Sequence, residues 1–172
     1  MRAAVITNPG GFDAFEVQDV PDPVCGPDEV VVAVKASALN RADLLQRRGR
    51  YNGPPGTRND IPGLEAAGIV ESVGERVVGW KPGDRVMALL GGMGYASKVA
   101  VHERMLMPVP PNLSFEEAAS IPEVYLTAYD ALELGLGFEY EFPYVSPFLA
   151  WNLAIPVNGA DITPCQNHEI FL

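Results

Sequence analysis

Few residues of this chain carry groups that could do chemistry. Its two histidines, His102 and His168, have no ligand partners at metal spacing. Cys25 and Cys165 lie far apart without a Cys-x-x-Cys pair, so they define neither a disulfide framework nor a zinc cluster. A reduced, cytoplasmic compartment is the simplest expectation from such cysteine usage. Neutral hydrogen-bonding side chains remain. Asn40 stands where a short helix begins and could cap it, with Asp43 in the first turn. Tyr51 sits in the loop Gly49-Arg50-Tyr51-Asn52-Gly53-Pro54-Pro55-Gly56, where an aromatic either meets a ligand or packs on its own prolines. Thr127 lies at a helix restart, where its hydroxyl could bond back to a helix carbonyl. Among the charged residues, Glu65 reads as structural and Arg41 with Asp43 as a charge pair at a helix start. Arg47, Arg48 and Arg50 form a small basic cluster that could approach a phosphate but reads more simply as a solvated face.

The elements that must position these groups are mostly strands. Residues 3–7 form a β-type run ended by Asn8-Pro9-Gly10-Gly11, and residues 15–20 alternate up to Pro21-Asp22-Pro23. Val30, Val31 and Val32 are apolar on both faces, as in a strand inside a sheet. A helix is expected over residues 40–48, then strands over 68–73, 84–90 and 95–101, with Lys81-Pro82-Gly83-Asp84 as a tight turn. Strands at short spacing, punctuated by glycine and proline, indicate a small β-barrel or sandwich. After Pro110-Pro111-Asn112 the period becomes helical. Ser114 and Glu117 stand at capping-box spacing, and Pro122 should break or restart the helix.

Composition bounds the function. Of 172 residues, 48% are hydrophobic, enough to bury a core. The net charge of -10 disfavours a nucleic-acid partner, because a phosphate backbone needs a basic face. No apolar run is long enough to cross a bilayer, and the first residues lack the apolar stretch of a signal peptide.

Five segments occur in an order and spacing similar to the zinc-free quinone oxidoreductases of the medium-chain dehydrogenase/reductase superfamily. They are Ala36-Ser37-Ala38-Leu39-Asn40-Arg41-Ala42-Asp43, then Gly49-Arg50-Tyr51 with Pro54-Pro55-Gly56, and Ile61-Pro62-Gly63-Leu64-Glu65-Ala66-Ala67-Gly68. Lys81-Pro82-Gly83-Asp84-Arg85-Val86 and Ala118-Ala119-Ser120-Ile121-Pro122-Glu123, running into Leu126-Thr127-Ala128-Tyr129, complete the set. The resemblance runs from residue 1 to about 134. It implies a mainly β, GroES-like barrel domain, normally attached to a Rossmann domain. It implies an NADPH cofactor and hydride transfer to a quinone or enone; apolar surface that the Rossmann domain would cover makes association of identical copies an expectation. By resemblance, Asn40 faces the nicotinamide, Tyr51 lines the substrate pocket and Thr127 reaches the nicotinamide amide. Where zinc relatives carry Cys and His ligands, this chain carries Leu39-Asn40 and Leu64, so no metal is expected.

Beyond residue 134 the sequence departs from that pattern. No Gly-x-Gly-x-x-Gly turn or alternating βα pattern follows, and every Lys and Arg lies at or before Arg104. The expected organisation is a catalytic GroES-like domain over 1–134, incomplete and without its Rossmann partner. A poorly ordered tail outside the family is expected over 135–172. Two functions follow from this. One is a quinone oxidoreductase whose isolated chain is weakly active or inactive; the other is a non-catalytic GroES-like module or interaction piece.

Overall fold

The computed structural model describes the backbone of residues 1–137 and side-chain surroundings through residue 132. The element order is β1 (Arg2–Ile6), β2 (Phe15–Asp19), β3 (Glu29–Ser37), α1 (Arg41–Arg47), β4 (Glu65–Val73), β5 (Arg85–Leu89), β6 (Lys98–His102), β7 (Leu106–Pro108), α2 (Phe115–Ala119) and α3 (Pro122–Gly137). Two compact units result, Met1–Val124 and a second beginning at Tyr125, of which the rest of α3 is described. The expectation for the tail over 135–172 falls outside the described residues apart from the end of α3. Among the described residues, no helix is long and apolar enough to cross a membrane.

In the first unit β1 and β2 form an antiparallel ribbon, and the other strands form one antiparallel sheet in the order β6-β3-β4-β5-β7. The valines of β3 explain its place. Val30, Val31 and Val32 are all buried, and β3 pairs with β4 on one side and β6 on the other. A strand covered on both faces gains from apolar residues at every position rather than every second one. Strand β4 shows the same logic with smaller side chains. Ala66 joins Val30, Val70, Val86, Val99 and Leu106 in one core cluster. Ala67, its neighbour on the opposite face, packs with Met87, Ala118 and Ala119, so α2 lies against that face. Gly68 lets the two strands meet: a Cβ there would stand 2.2 Å from the carbonyl oxygen of Ala33.

The turn and cap signals correspond to real boundaries. Gly83 has φ 94° in the turn before β5, a conformation glycine adopts without a Cβ penalty. Ser114 caps α2 by accepting from the Glu117 amide, while the Glu117 carboxylate accepts from the Ser114 amide at 2.8 Å. Pro122 begins α3 rather than interrupting it.

Three details differ from the expectation. Strand β4 starts at Glu65, three residues before the expected 68, because residues 65–67 pair with β5. Strand β6 starts at Lys98, not near Tyr95, because residues 95–97 run beside β1 instead. Ala4 N donates to Tyr95 O, and Ser97 N to Arg2 O, both at 2.8 Å. Strand β7 is unannounced in the sequence, being three residues long and containing Pro108. It pairs only with β5, at the sheet edge where a missing N–H is tolerated.

Candidate functional site

The end of β3, the start of α1 and the start of β4 meet around two buried carboxylates. Ser37 closes β3 by donating its hydroxyl to the carbonyl of Glu65 at 2.6 Å, which fixes where the chain leaves the sheet. Asn40 then takes an extended backbone, φ -119° and ψ 157°, and opens α1 in a capping-box arrangement with Asp43. The Asn40 amide N–H donates to Asp43 Oδ2 at 2.7 Å. Its carboxamide nitrogen reaches back to the sheet and donates to Glu65 Oε1 at 2.9 Å.

Glu65 is 1% exposed, so its carboxylate needs internal donors. The second comes from the start of α3. Pro122 has no N–H, Ile121 before it has no capping side chain, and Glu123 N donates to Glu65 Oε2 at 2.9 Å. One buried carboxylate therefore caps α3 from another element and anchors Asn40.

Asp43, 3% exposed, collects three donors: the Asn40 amide, Gly63 N on Oδ1 at 3.1 Å, and the Tyr95 hydroxyl on Oδ2 at 2.7 Å. Burial first, then the hydrogen bond to Asp43, push the Tyr95 phenol far above its ordinary range, so it works as a fixed donor. Among the described residues none of these acids forms a salt bridge. The whole balance is made by hydrogen bonds.

Glu123 feels this uncompensated charge. Burial, then the negative charges of Glu65 and Asp43, raise its carboxyl above the ordinary range. The sign follows: a raised folded-state pKa means the native state binds the proton more tightly than the unfolded chain. Stability from this group is therefore lost as pH rises from the ordinary carboxyl range through the raised value. Glu123→Gln is expected to raise the thermal midpoint near about pH 7 and to leave it unchanged near about pH 3. Equal midpoints at both pH values would remove the electrostatic conflict assigned to this residue.

Each residue singled out in the sequence has a definite place. Asn40 lies in the network. Tyr51 is half-buried in the irregular loop after α1, and no hydrogen bond links it to the two carboxylates. Thr127 is half-buried on α3, in the second unit. The charge pair expected between Arg41 and Asp43 does not form: Arg41 is exposed and Asp43 turns inward toward neutral donors, a shell that leaves it no need of the cation. Nor is the basic cluster a uniform solvated face. Arg48 and Arg50 are exposed, whereas Arg47 is buried with its guanidinium 4.8 Å from the Phe12 ring. Of the positions that hold metal ligands in zinc relatives, Leu39 is 87% exposed and Leu64 is buried. Among the described residues, no three His, Cys, Asp or Glu side chains are grouped to hold a metal ion.

Sequence reasoning left Glu65, Tyr95 and Glu123 out of the site. Glu65 did carry a signal, a lone carboxylate among the small and apolar residues of 61–70, where only a satisfied charge can be buried. Tyr95 and Glu123 gave none, because their partners are 52 and 58 residues away.

Comparison with known proteins places this geometry. Residues 26–111 match the alcohol dehydrogenase GroES-like domain. The chain is 38% identical over 134 residues to the synaptic vesicle membrane protein VAT-1 homolog-like of Mus musculus, covering 77% of this chain and 31% of that one. It is 36% identical over 135 residues to the quinone oxidoreductase of Lama guanicoe, covering 77% and 40%. The quinone oxidoreductase of Thermus thermophilus, solved also in complex with NADPH, superposes with a TM-score of 0.63 at 40% identity. That match covers 79% of this chain and 41% of the other. The chain thus spans between 31% and 40% of the two curated relatives.

Proposed function

This chain belongs to the alcohol dehydrogenase GroES-like domain family, and from that membership we propose that it forms the nicotinamide-facing half of a zinc-free, NADPH-dependent quinone oxidoreductase. Residues 1–134 are read as the catalytic part, and 135–172 as a segment outside it. The observation that carries the reading is the carboxamide of Asn40, held at the mouth of α1 by a buried carboxylate. A neutral, oriented amide suits the uncharged carboxamide of a nicotinamide. The apolar Leu39 beside it suits a flat ring, and Tyr51 supplies an aromatic face or a hydroxyl. By resemblance Thr127, in the second unit, is read as a contact to the cofactor amide. NADPH, when bound, supplies a hydride from C4 of its nicotinamide to a quinone or enone. The chain's own groups orient the two rings and exclude water, and they need no metal because no alcohol is polarised.

The described residues fit the nicotinamide end only. No glycine-rich turn leads into a helix among them, and such a turn is what holds a pyrophosphate. Weak cofactor affinity and slow turnover are therefore expected of this chain alone. A reduced cytoplasmic setting and self-association belong to the same reading. Sedimentation at increasing concentration checks the self-association.

The test is a titration of ¹⁵N-labelled chain with NADPH. Shifts should centre on the Asn40 side-chain amide. Asn40→Ala should weaken binding about fivefold to tenfold, the worth of one neutral hydrogen bond. Absence of any shift at millimolar NADPH would favour the non-catalytic module.

A further inference from the structure

We infer that Glu65 is a positioning residue that decides which end of the Asn40 carboxamide faces a ligand. The inference rests on the proposed cofactor reading and adds the polarity of the contact. Glu65 Oε2 accepts the backbone N–H of Glu123 at 2.9 Å, and Oε1 lies 2.9 Å from the Asn40 amide group. The Asn40 group turned toward Oε1 is its NH₂, which donates there. The carbonyl oxygen of Asn40 is then the end turned away from Glu65, and in the capping box of α1 it faces the Asp43 N–H.

A carbonyl oxygen has two lone pairs, so beyond the one directed at the Asp43 N–H the site offers an acceptor at this point. An acceptor matches a ligand N–H, such as that of a nicotinamide carboxamide, and repels a bare carbonyl. The oxygens of a quinone must find their donors elsewhere, a part that the proposed reading gives to Tyr51. Burial keeps the arrangement from averaging out: Glu65 is 1% exposed, out of reach of bulk water.

Glu65→Gln tests this by reversing the polarity. Glutamine can keep only one acceptor oxygen. If that oxygen holds the Glu123 N–H, its NH₂ faces Asn40 and turns the Asn40 carboxamide over. The probes are reduced nicotinamide mononucleotide and its 3-acetylpyridine counterpart, which keeps the carbonyl but has no N–H. The unaltered chain should prefer the carboxamide form about tenfold, and Glu65→Gln should abolish or invert that preference. The double variant Asn40→Asp with Glu65→Gln exchanges amide and carboxylate, and should restore it. A purely structural role for Glu65 would weaken both probes equally, and that result overturns the inference.

The Asn40 side-chain amide signals, identified by their loss in Asn40→Asp, supply a readout without ligand. They should be hydrogen-bonded and slow to exchange in the unaltered chain and moved in Glu65→Gln. Unmoved signals overturn the positioning role. If neither probe binds while these signals move as expected, the cofactor reading fails and the orientation of Asn40 by Glu65 stands. If Glu65→Gln does not fold, the double variant carries the test, and its failure to show the carboxamide preference counts against the inference.

Discussion

Asp43→Ala is expected to destabilise the first unit by roughly 3–5 kcal/mol, more than any other single side-chain truncation in the site. Three donors converge on this carboxylate: the amides of Asn40 and Gly63 and the hydroxyl of Tyr95. Each buried donor left without a partner costs about 1–3 kcal/mol, and the three costs overlap because the loop relaxes as a unit. A domain of this size has on the order of 5–15 kcal/mol of stability in total, so the variant should sit near the edge of folding. Asp43→Asn should fall between the two, since one amide oxygen can serve some of the donors while the NH₂ faces the others. Urea denaturation followed by tryptophan fluorescence measures the series. Trp80 is a suitable reporter because it packs against the sheet core and donates its indole N–H to Glu103 O at 3.0 Å. A loss below about 1 kcal/mol for Asp43→Ala would mean that the three donors find other partners once the carboxylate is gone.

Gly63→Ala should have an effect of similar size for a different reason. Gly63 has φ 107°, which costs an L-residue about 1–2 kcal/mol or more. A Cβ there would also stand 2.6 Å from Gly94 Cα and 2.6 Å from Tyr95 N. These are backbone atoms and cannot swing aside. They are held by hydrogen bonds from Gly94 N to Gly63 O at 3.0 Å and from Tyr95 N to Pro62 O at 2.9 Å. Pushing the segments apart would move Tyr95 away from Asp43 and shift the start of β4, which begins two residues later. The variant should lack a cooperative unfolding transition, or lose roughly 3 kcal/mol or more. Gly83→Ala separates the two causes. Gly83 has φ 94° but nothing within 4 Å of a built Cβ, so only the conformational cost applies, about 1 kcal/mol. If Gly63→Ala and Gly83→Ala lost equal stability, the close approach of the two backbones would carry no energetic weight.

The sequence alone determined what depends on near neighbours. Three consecutive valines specify a strand covered on both faces, and β3 is the inner strand between β4 and β6. Lys81-Pro82-Gly83-Asp84 specifies a turn, because proline fixes φ and glycine admits a positive one. Ser114 and Glu117 specify a helix start through reciprocal bonds three residues apart, and Pro122 specifies a second start because it lacks the N–H that a helix interior needs. The order of five such segments was enough to identify the GroES-like family. Tertiary structure decided where the charges go. Asp43 lies in the first turn of a helix and, judged from its neighbours, belongs with Arg41. It turns inward because Tyr95, 52 residues away, offers a hydroxyl, and Gly63 an amide. Arg47 reads as one of three surface cations and is buried against Phe12, which the β1–β2 connection delivers. Glu65 gains its two roles only when β4 brings it to Asn40, 25 residues back in the chain, and α3 brings Glu123, 58 residues ahead. Local geometry fixes backbone conformation through bonds that span three or four residues. The partner of a buried charge is whichever donor the sheet places within about 3 Å, and no pattern along the chain encodes that distance.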